Sequence, residues 1–225
     1  MNLDGKACIV TGGTGALGRA VVQRLRADGA TVAVIARGSA AQDDMIFGGV
    51  DLADPAAAQS AVEAAVSRLG RLYGLINIAG AFRWETLADG EVATWDTLYS
   101  TNLKTAVCAS KAALPHLIAN GQGRIVNVGA ASAVKAAAGM GAYAASKAGV
   151  AKLTEALSEE VKAKGITVNA VLPSIIDTPL NRADMPKADF RKWVQPDAIA
   201  ALIAFLLSDE AGAITGALIP VTGSV

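Results

Sequence analysis

Short runs of apolar, largely β-branched residues alternate along the chain with longer stretches in which apolar side chains return every three or four positions. The runs at 7–10, 31–36, 46–50, 74–78, 124–128, 167–172 and 218–221 predict strands. They are apolar almost throughout, which suits parallel strands covered on both faces. Between them Leu17, Val21 and Leu25 fall at helical spacing. So do Val150, Leu153, Leu157 and Val161, interleaved with Lys152, Glu155, Glu159 and Lys162. Pro55, Gly70, Gly90, Gly121, Gly165 and Pro196 punctuate the boundaries. This alternation predicts an α/β fold: a doubly wound, seven-stranded, mostly parallel sheet with helices on both faces. No repeat or compositional break divides the 225 residues, so 1–225 reads as one domain.

Composition narrows the function. Hydrophobic residues make up 52% of the chain but aromatics only 4%, so the core must be built from small side chains in close contact. Lys and Arg number 20 against 20 Asp and Glu, which leaves no basic field for a phosphate backbone and sets nucleic-acid binding aside. The longest apolar run, 198–207, is far short of the roughly 20 residues that span a membrane. Asp4 stands where a signal peptide would be positive and no apolar segment follows, so a cytoplasmic protein is expected. Cys8, Cys108 and the lone His116 make no metal-ligand spacing. His116 follows Pro115 late in an apolar helix, which reads as a structural position rather than as part of a triad.

Two segments carry candidate chemistry. The first strand runs into T-G-G-T-G-A-L-G, comprising Thr11, Gly12, Gly13, Thr14, Gly15, Ala16, Leu17 and Gly18, and then into the Leu17 helix. Gly13, Gly15 and Gly18 satisfy G-x-G-x-x-G in the strand–turn–helix setting that a dinucleotide fingerprint requires. Glycines let backbone N–H groups approach a pyrophosphate at a helix N-terminus, where the dipole favours anions. At the end of the second strand Ala36 replaces the acid that would bind a ribose 2′-hydroxyl and repel a 2′-phosphate, and Arg37 follows it. NADP(H) is therefore expected over NAD(H). The second segment is Tyr143-Ala-Ala-Ser-Lys147, which opens an amphipathic helix. Four residues apart, the phenol and the ammonium share a helix face, and a cation beside a phenol of pKa near 10 should favour proton transfer.

Together these motifs resemble the short-chain dehydrogenases/reductases, and the resemblance runs over nearly the whole chain. It implies a Rossmann-type dinucleotide domain. Asp51 and Leu52 look like the family's adenine-contacting pair, and Asn77-Ile-Ala79-Gly80 like the segment that closes over the cofactor. Asn102 resembles the asparagine that supports a water relay. Tyr143 resembles the proton donor, and Lys147 the lysine that tunes it and binds the nicotinamide ribose. Pro173-Ser-Ile-Ile176-Asp-Thr178 resembles the segment holding the nicotinamide carboxamide and phosphates. The resemblance also implies a homodimer or homotetramer assembled through the alanine-rich helices, a small-molecule substrate, and a short substrate loop near 179–196.

Three positions depart from that family pattern. A glycine of the family loop falls on Ala16, Ser174 stands for the glycine after the late proline, and the catalytic serine, thirteen residues before the tyrosine, falls on Ala130. Ser132 lies two residues on and is the candidate replacement. The dihydropteridine reductase branch also lacks that serine, and 177–193 resembles its corresponding stretch. The expectation is thus hydride transfer to a small conjugated imine or carbonyl with Tyr143 donating the proton. Two alternatives stand beside it: an ordinary carbonyl or 3-oxoacyl reductase using Ser132, and a non-catalytic NADP(H)-binding sensor. Phe82, Trp84, Met140, Met185, Phe190 and Trp193 are candidates for a substrate wall.

Overall fold

The computed structural model describes residues 1–38 and 43–225. Its strands are β1 (Ala7–Thr11), β2 (Thr31–Ile35), β3 (Ile46–Phe47), β4 (Gly74–Asn77), β5 (Gly123–Val128), β6 (Ile166–Pro173) and β7 (Leu218–Val221). They form one sheet in the order β3-β2-β1-β4-β5-β6-β7, parallel at every pairing. The helices are α1 (Ala16–Ala27), α2 (Pro55–Leu69), α3 (Val92–Leu98), α4 (Thr105–Ala119), α5 (Gly141–Val161), α6 (Pro179–Asp184) and α7 (Pro196–Leu207).

Successive strand residues face opposite layers, as the two-residue period of a strand demands. Cys8, Val10, Ile76, Val126 and Val171 pack on Leu17, Val21 and Leu25 of α1 and on Ile199, Ile203 and Leu207 of α7. Ile9, Leu75, Ile125 and Val168 pack on Val62 and Ala65 of α2, Ala109 and Ala112 of α4, and Leu157 of α5. The alanines on α2 and α4 let these two helices lie close together over the sheet. Helix α2 shows how sharply the sequence sets an element: the Asp54 carboxylate accepts from Ala56 N at 2.9 Å, Pro55 opens the first turn, and Gly70 ends the helix at φ 75°.

The seven predicted strands are all present, and their ends differ most from expectation at β3 and β6. β3 has only two of the five expected residues, because Gly48 and a left-handed Gly49 (φ 73°) break the extended run, although Val50 N still donates to the Ala36 carbonyl at 3.1 Å. β6 runs on to Pro173, whose missing N–H matters little at a strand end. A π-helical turn, Tyr99–Lys104, joins α3 to α4 without warning in the sequence. Strand order reverses between β1 and β4, and the crevice beyond their carboxyl ends is where an open α/β sheet binds ligands. Among the described residues, no helix is long and apolar enough to cross a membrane.

Candidate active site

A cleft of about 1020 Å³ opens at that reversal. Thr14, Gly15, Ala16, Leu17 and Gly18 form one wall, Ala36, Arg37, Asp51 and Leu52 a second, and Ala79, Gly80 and Thr178 close the inner side. The loop owes its shape to backbone crowding. Gly12 has φ 68°, and a Cβ there would lie 2.9 Å from Ala79 N; a Cβ on Gly18 would lie 2.2 Å from the Gly12 carbonyl oxygen. Gly15 caps α1 without any side-chain bond, so the orphan N–H groups of the first turn remain available to an anion in the cleft. These features fit a dinucleotide: a cradle that a Cβ would fill, unpaired donors at a helix start, and space on the required scale.

Gly13 behaves differently from the fingerprint glycine it was read as. A Cβ there would strike Val34 at 2.7 Å, so it packs inward on β2, and Gly12, Gly15 and Gly18 are the glycines on the cleft. Thr11 is buried as well; its hydroxyl oxygen accepts from Ile78 N at 3.1 Å and Ala79 N at 3.3 Å, tying the end of β1 to that of β4. Asn77 lies behind the wall, its amide donating to Ser110 Oγ at 3.1 Å and to Asn127 Oδ1 at 2.9 Å. Pro173 ends β6, and Ile176 forms a bridge with Val194; neither lines the cleft. Arg19, which sequence reasoning passed over, does line it and donates to the Thr14 carbonyl at 2.7 Å.

Gly80 links the cleft to a second cluster, since a Cβ on it would lie 2.8 Å from Asn102 Oδ1 and 3.4 Å from Lys147 Nζ. Asn102 sits on the π-helical turn, a distortion often found at functional sites. Its Oδ1 accepts from Ala81 N at 2.7 Å, and its Nδ2 donates to Ser146 Oγ at 2.9 Å. Ser146 in turn donates to the Tyr143 carbonyl at 2.7 Å. Ser146 was missed although it lies inside the Tyr143–Lys147 motif; its hydroxyl couples the π-turn to the first turn of α5.

The electrostatics differ from the simple pairing expected of Tyr143 and Lys147. Lys147 Nζ donates to the Val128 carbonyl at 2.8 Å, and burial pushes its pKa down from 10.5 to about 8. Burial pushes the Tyr143 phenol up to about 12. Desolvation is the cause of both shifts, and the phenol keeps its proton at neutral pH. The Phe82 ring meets the Tyr143 ring edge-on, with centroids 4.9 Å apart. Ala130 ends the strand extension, buried, with a methyl group in place of a hydroxyl. Ser132 does not continue the strand; it sits on a 3-10 turn, Ala131–Ala133, where its Oγ is buried without a hydrogen-bond partner.

The segment after β6 is braced. The Asp177 carboxylate accepts from Nε and Nη2 of Arg182, at 2.5 and 2.7 Å, and from Gln195 Nε2 at 2.9 Å; these bonds hold it near pKa 2. Phe190 stacks on Trp193 at 4.8 Å with the Arg182 guanidinium over its ring. Trp193 is buried, so it serves the packing of this segment and leaves the list of candidate wall residues. Among the described residues, no group of three or more His, Cys, Asp or Glu side chains could hold a metal ion.

Comparison with known proteins bears on this arrangement. A family described as short chain dehydrogenase matches residues 6–189. The 3-oxoacyl-[acyl-carrier-protein] reductase FabG of Escherichia coli is 33% identical over 241 residues, covering 100% of this chain and 99% of that protein. The crystal structure of a 3-ketoacyl-(acyl-carrier-protein) reductase from Brucella melitensis complexed with NADH superposes with a TM-score of 0.90 at 28% identity, covering 100% of both chains. Carveol dehydrogenase from Mycobacterium avium, in complex with NAD, gives a TM-score of 0.89 at 27% identity, covering 99% of this chain and 98% of that one.

Proposed function

The chain belongs to the short-chain dehydrogenase/reductase family, a family of oxidoreductases, and we propose that it is an NADP(H)-preferring carbonyl reductase acting on a 3-oxo or similar ketone. The observation that carries this reading is the first turn of α5, where Tyr143 stands one helical turn before Lys147, whose Nζ lies against Gly80 on the inner side of a dinucleotide-sized cleft. The named relatives support carbonyl reduction over the conjugated-imine reading.

Bound along the Gly12–Gly18 loop, the dinucleotide supplies the hydride. The α1 N-terminus would hold the pyrophosphate, and Arg37, following Ala36 at the position where an acid would repel it, would hold a ribose 2′-phosphate. Lys147 holds the nicotinamide ribose, and Asn102 with Ser146 fixes α5 against the π-turn. Where the carbonyl carbon would take that hydride, Tyr143 gives its proton to the carbonyl oxygen, so that one ketone, one hydride and one proton make one alcohol and Tyr143 is left as a phenolate to be reprotonated from water. A phenol near pKa 12 keeps that proton at neutral pH and gives it up only to the strongly basic developing alkoxide. Ser132 supplies a second donor to that oxygen; its buried, unpartnered hydroxyl is the support for that role. Two or more copies would assemble through the outer faces of α4 and α5, where Val107 and Ile118 of α4 are exposed while Ala109, Ala112 and Ala113 face the core.

Consumption of NADPH and of NADH with a 3-oxoester, with the hydroxyester product identified, tests the reading. Turnover with a lower KM for NADPH is expected. Tight NADPH binding with no turnover of any ketone, aldehyde or quinonoid pterin would replace it with a sensor role.

A further inference from the structure

Between Gly80 and Gly90 the chain carries two large aromatic side chains out into solvent, Phe82 at 56% and Trp84 at 60% exposure. Exposed aromatics on a loose loop would mean little, but this segment is fastened. Trp84 Nε1 donates to the Ala138 carbonyl at 3.0 Å, and Glu85 N donates to the Gly139 carbonyl at 2.8 Å. The indole lies directly on Gly139, where a Cβ would come within 2.2 Å of the ring; that glycine sits at φ 74°, so its conformation and its lack of a side chain both serve the contact. At the other end, Glu85 Oε1 accepts from Glu91 N at 2.9 Å and Gly90 N donates to the Thr86 carbonyl at 3.0 Å. The result is a strap pinned across the loop that precedes α5.

The strap ends at the reacting group, because the Phe82 ring stands perpendicular to the Tyr143 ring at a centroid distance of 4.9 Å. In the loop that the strap crosses, Val134 is also exposed, at 77%. The charged groups nearby in sequence are Arg83, whose guanidinium turns to Glu85 at 3.5 Å, and Lys135 in that loop. A rigid apolar surface beside a proton donor gains most from a flat, apolar group laid on it; a polar, flexible tail would find few partners there.

We propose that Phe82 and Trp84 form a substrate wall that selects ketones whose carbonyl is attached to a planar apolar group, such as an aryl ketone. This deepens the carbonyl-reductase reading and rests on it.

Ethyl benzoylacetate and ethyl acetoacetate form a matched pair, since both are 3-oxoesters and differ only in phenyl against methyl on the reacting carbonyl. In the wild type, kcat/KM should favour the phenyl compound by about tenfold or more. In Phe82→Ala, and less strongly in Trp84→Ala, the ratio should fall toward one, while Phe82→Leu should keep part of it. Phe82 is half exposed, so its variants should fold. Equilibrium binding of the two esters, followed by calorimetry on the NADP(H)-loaded protein, gives a readout independent of turnover. Turnover of both esters without preference overturns the wall and leaves the reductase reading standing. A phenyl preference in binding that Phe82→Ala abolishes, without turnover of either ester, supports the wall and overturns the reductase reading. No preference in either readout, or a change in sedimentation of the Phe82 and Trp84 variants that leaves the ratio intact, overturns the wall and assigns these aromatics to contacts between copies of the chain.

Discussion

Replacing Ser132 by alanine should make the protein more stable and less active at once. The Ser132 hydroxyl is buried without a hydrogen-bond partner, and leaving such a group unsatisfied costs about 1–3 kcal/mol. Removing one oxygen from a 3-10 turn, with Ala131 and Ala133 on either side, leaves the backbone unchanged, so about 1 kcal/mol should be recovered. For a 225-residue domain that is a rise in melting midpoint of about 2–4 °C. If the same hydroxyl donates to the developing alkoxide, its loss should lower kcat by roughly 10²–10³. Thermal unfolding by circular dichroism and NADPH consumption with a 3-oxoester, both on Ser132→Ala, read the two effects separately. A rise in midpoint with unchanged kcat would refute the donor role and favour the imine chemistry that needs no such group. A fall in midpoint would show that the hydroxyl has a partner in the folded protein, and would refute the reasoning from burial.

Arg37→Ala should weaken NADPH binding by about 10- to 100-fold, the worth of one charge-assisted contact, and leave NADH nearly unaffected; equal losses for both would remove Arg37 from the 2′-phosphate. Gly12→Ala forces a side chain into a left-handed conformation and against Ala79 N, so dinucleotide binding measured by fluorescence should be lost and the unfolding midpoint should drop; full binding would contradict the crowded-loop account. Lys147 is charged in the unfolded chain up to its ordinary value of 10.5 but in the folded chain only up to about 8. The unfolded state therefore binds more protons between those values, and the wild type should gain stability as pH rises through that window, by on the order of 3 kcal/mol, and lose it as pH falls through 8. Denaturant titrations of Lys147→Met should lack that gain, and a matching gain in the variant would assign it elsewhere.

The sheet was legible because each buried strand is a short apolar run bounded by turn residues; β7 falls at 218–221 as predicted. β3 was overestimated because apolar character does not reveal that a left-handed Gly49 breaks the extended run. The glycine loop was found, yet Gly13 and Gly12 exchanged roles, since the pattern cannot say which glycine faces the cleft and which packs on Val34. Tyr143 and Lys147 were found from their spacing, but their proton affinities follow from desolvation, which depends on what the fold packs around them. The π-turn under Asn102 leaves no mark in composition, because its hydrogen-bond pattern changes while its residues remain ordinary helix residues. Trp193 looked like Trp84 as a letter in the sequence; only packing separates a side chain buried against Phe190 from an exposed one.

The central claim is that Tyr143 gives its proton to a carbonyl oxygen, and Tyr143→Phe tests it most directly. The variant keeps the ring that Phe82 packs against, so the fold and NADPH affinity should be retained. Steady-state reduction of a 3-oxoester should fall by about 10²–10⁴ or more, the usual worth of a positioned general acid. Undiminished turnover in a variant that still folds and binds NADPH would contradict the account.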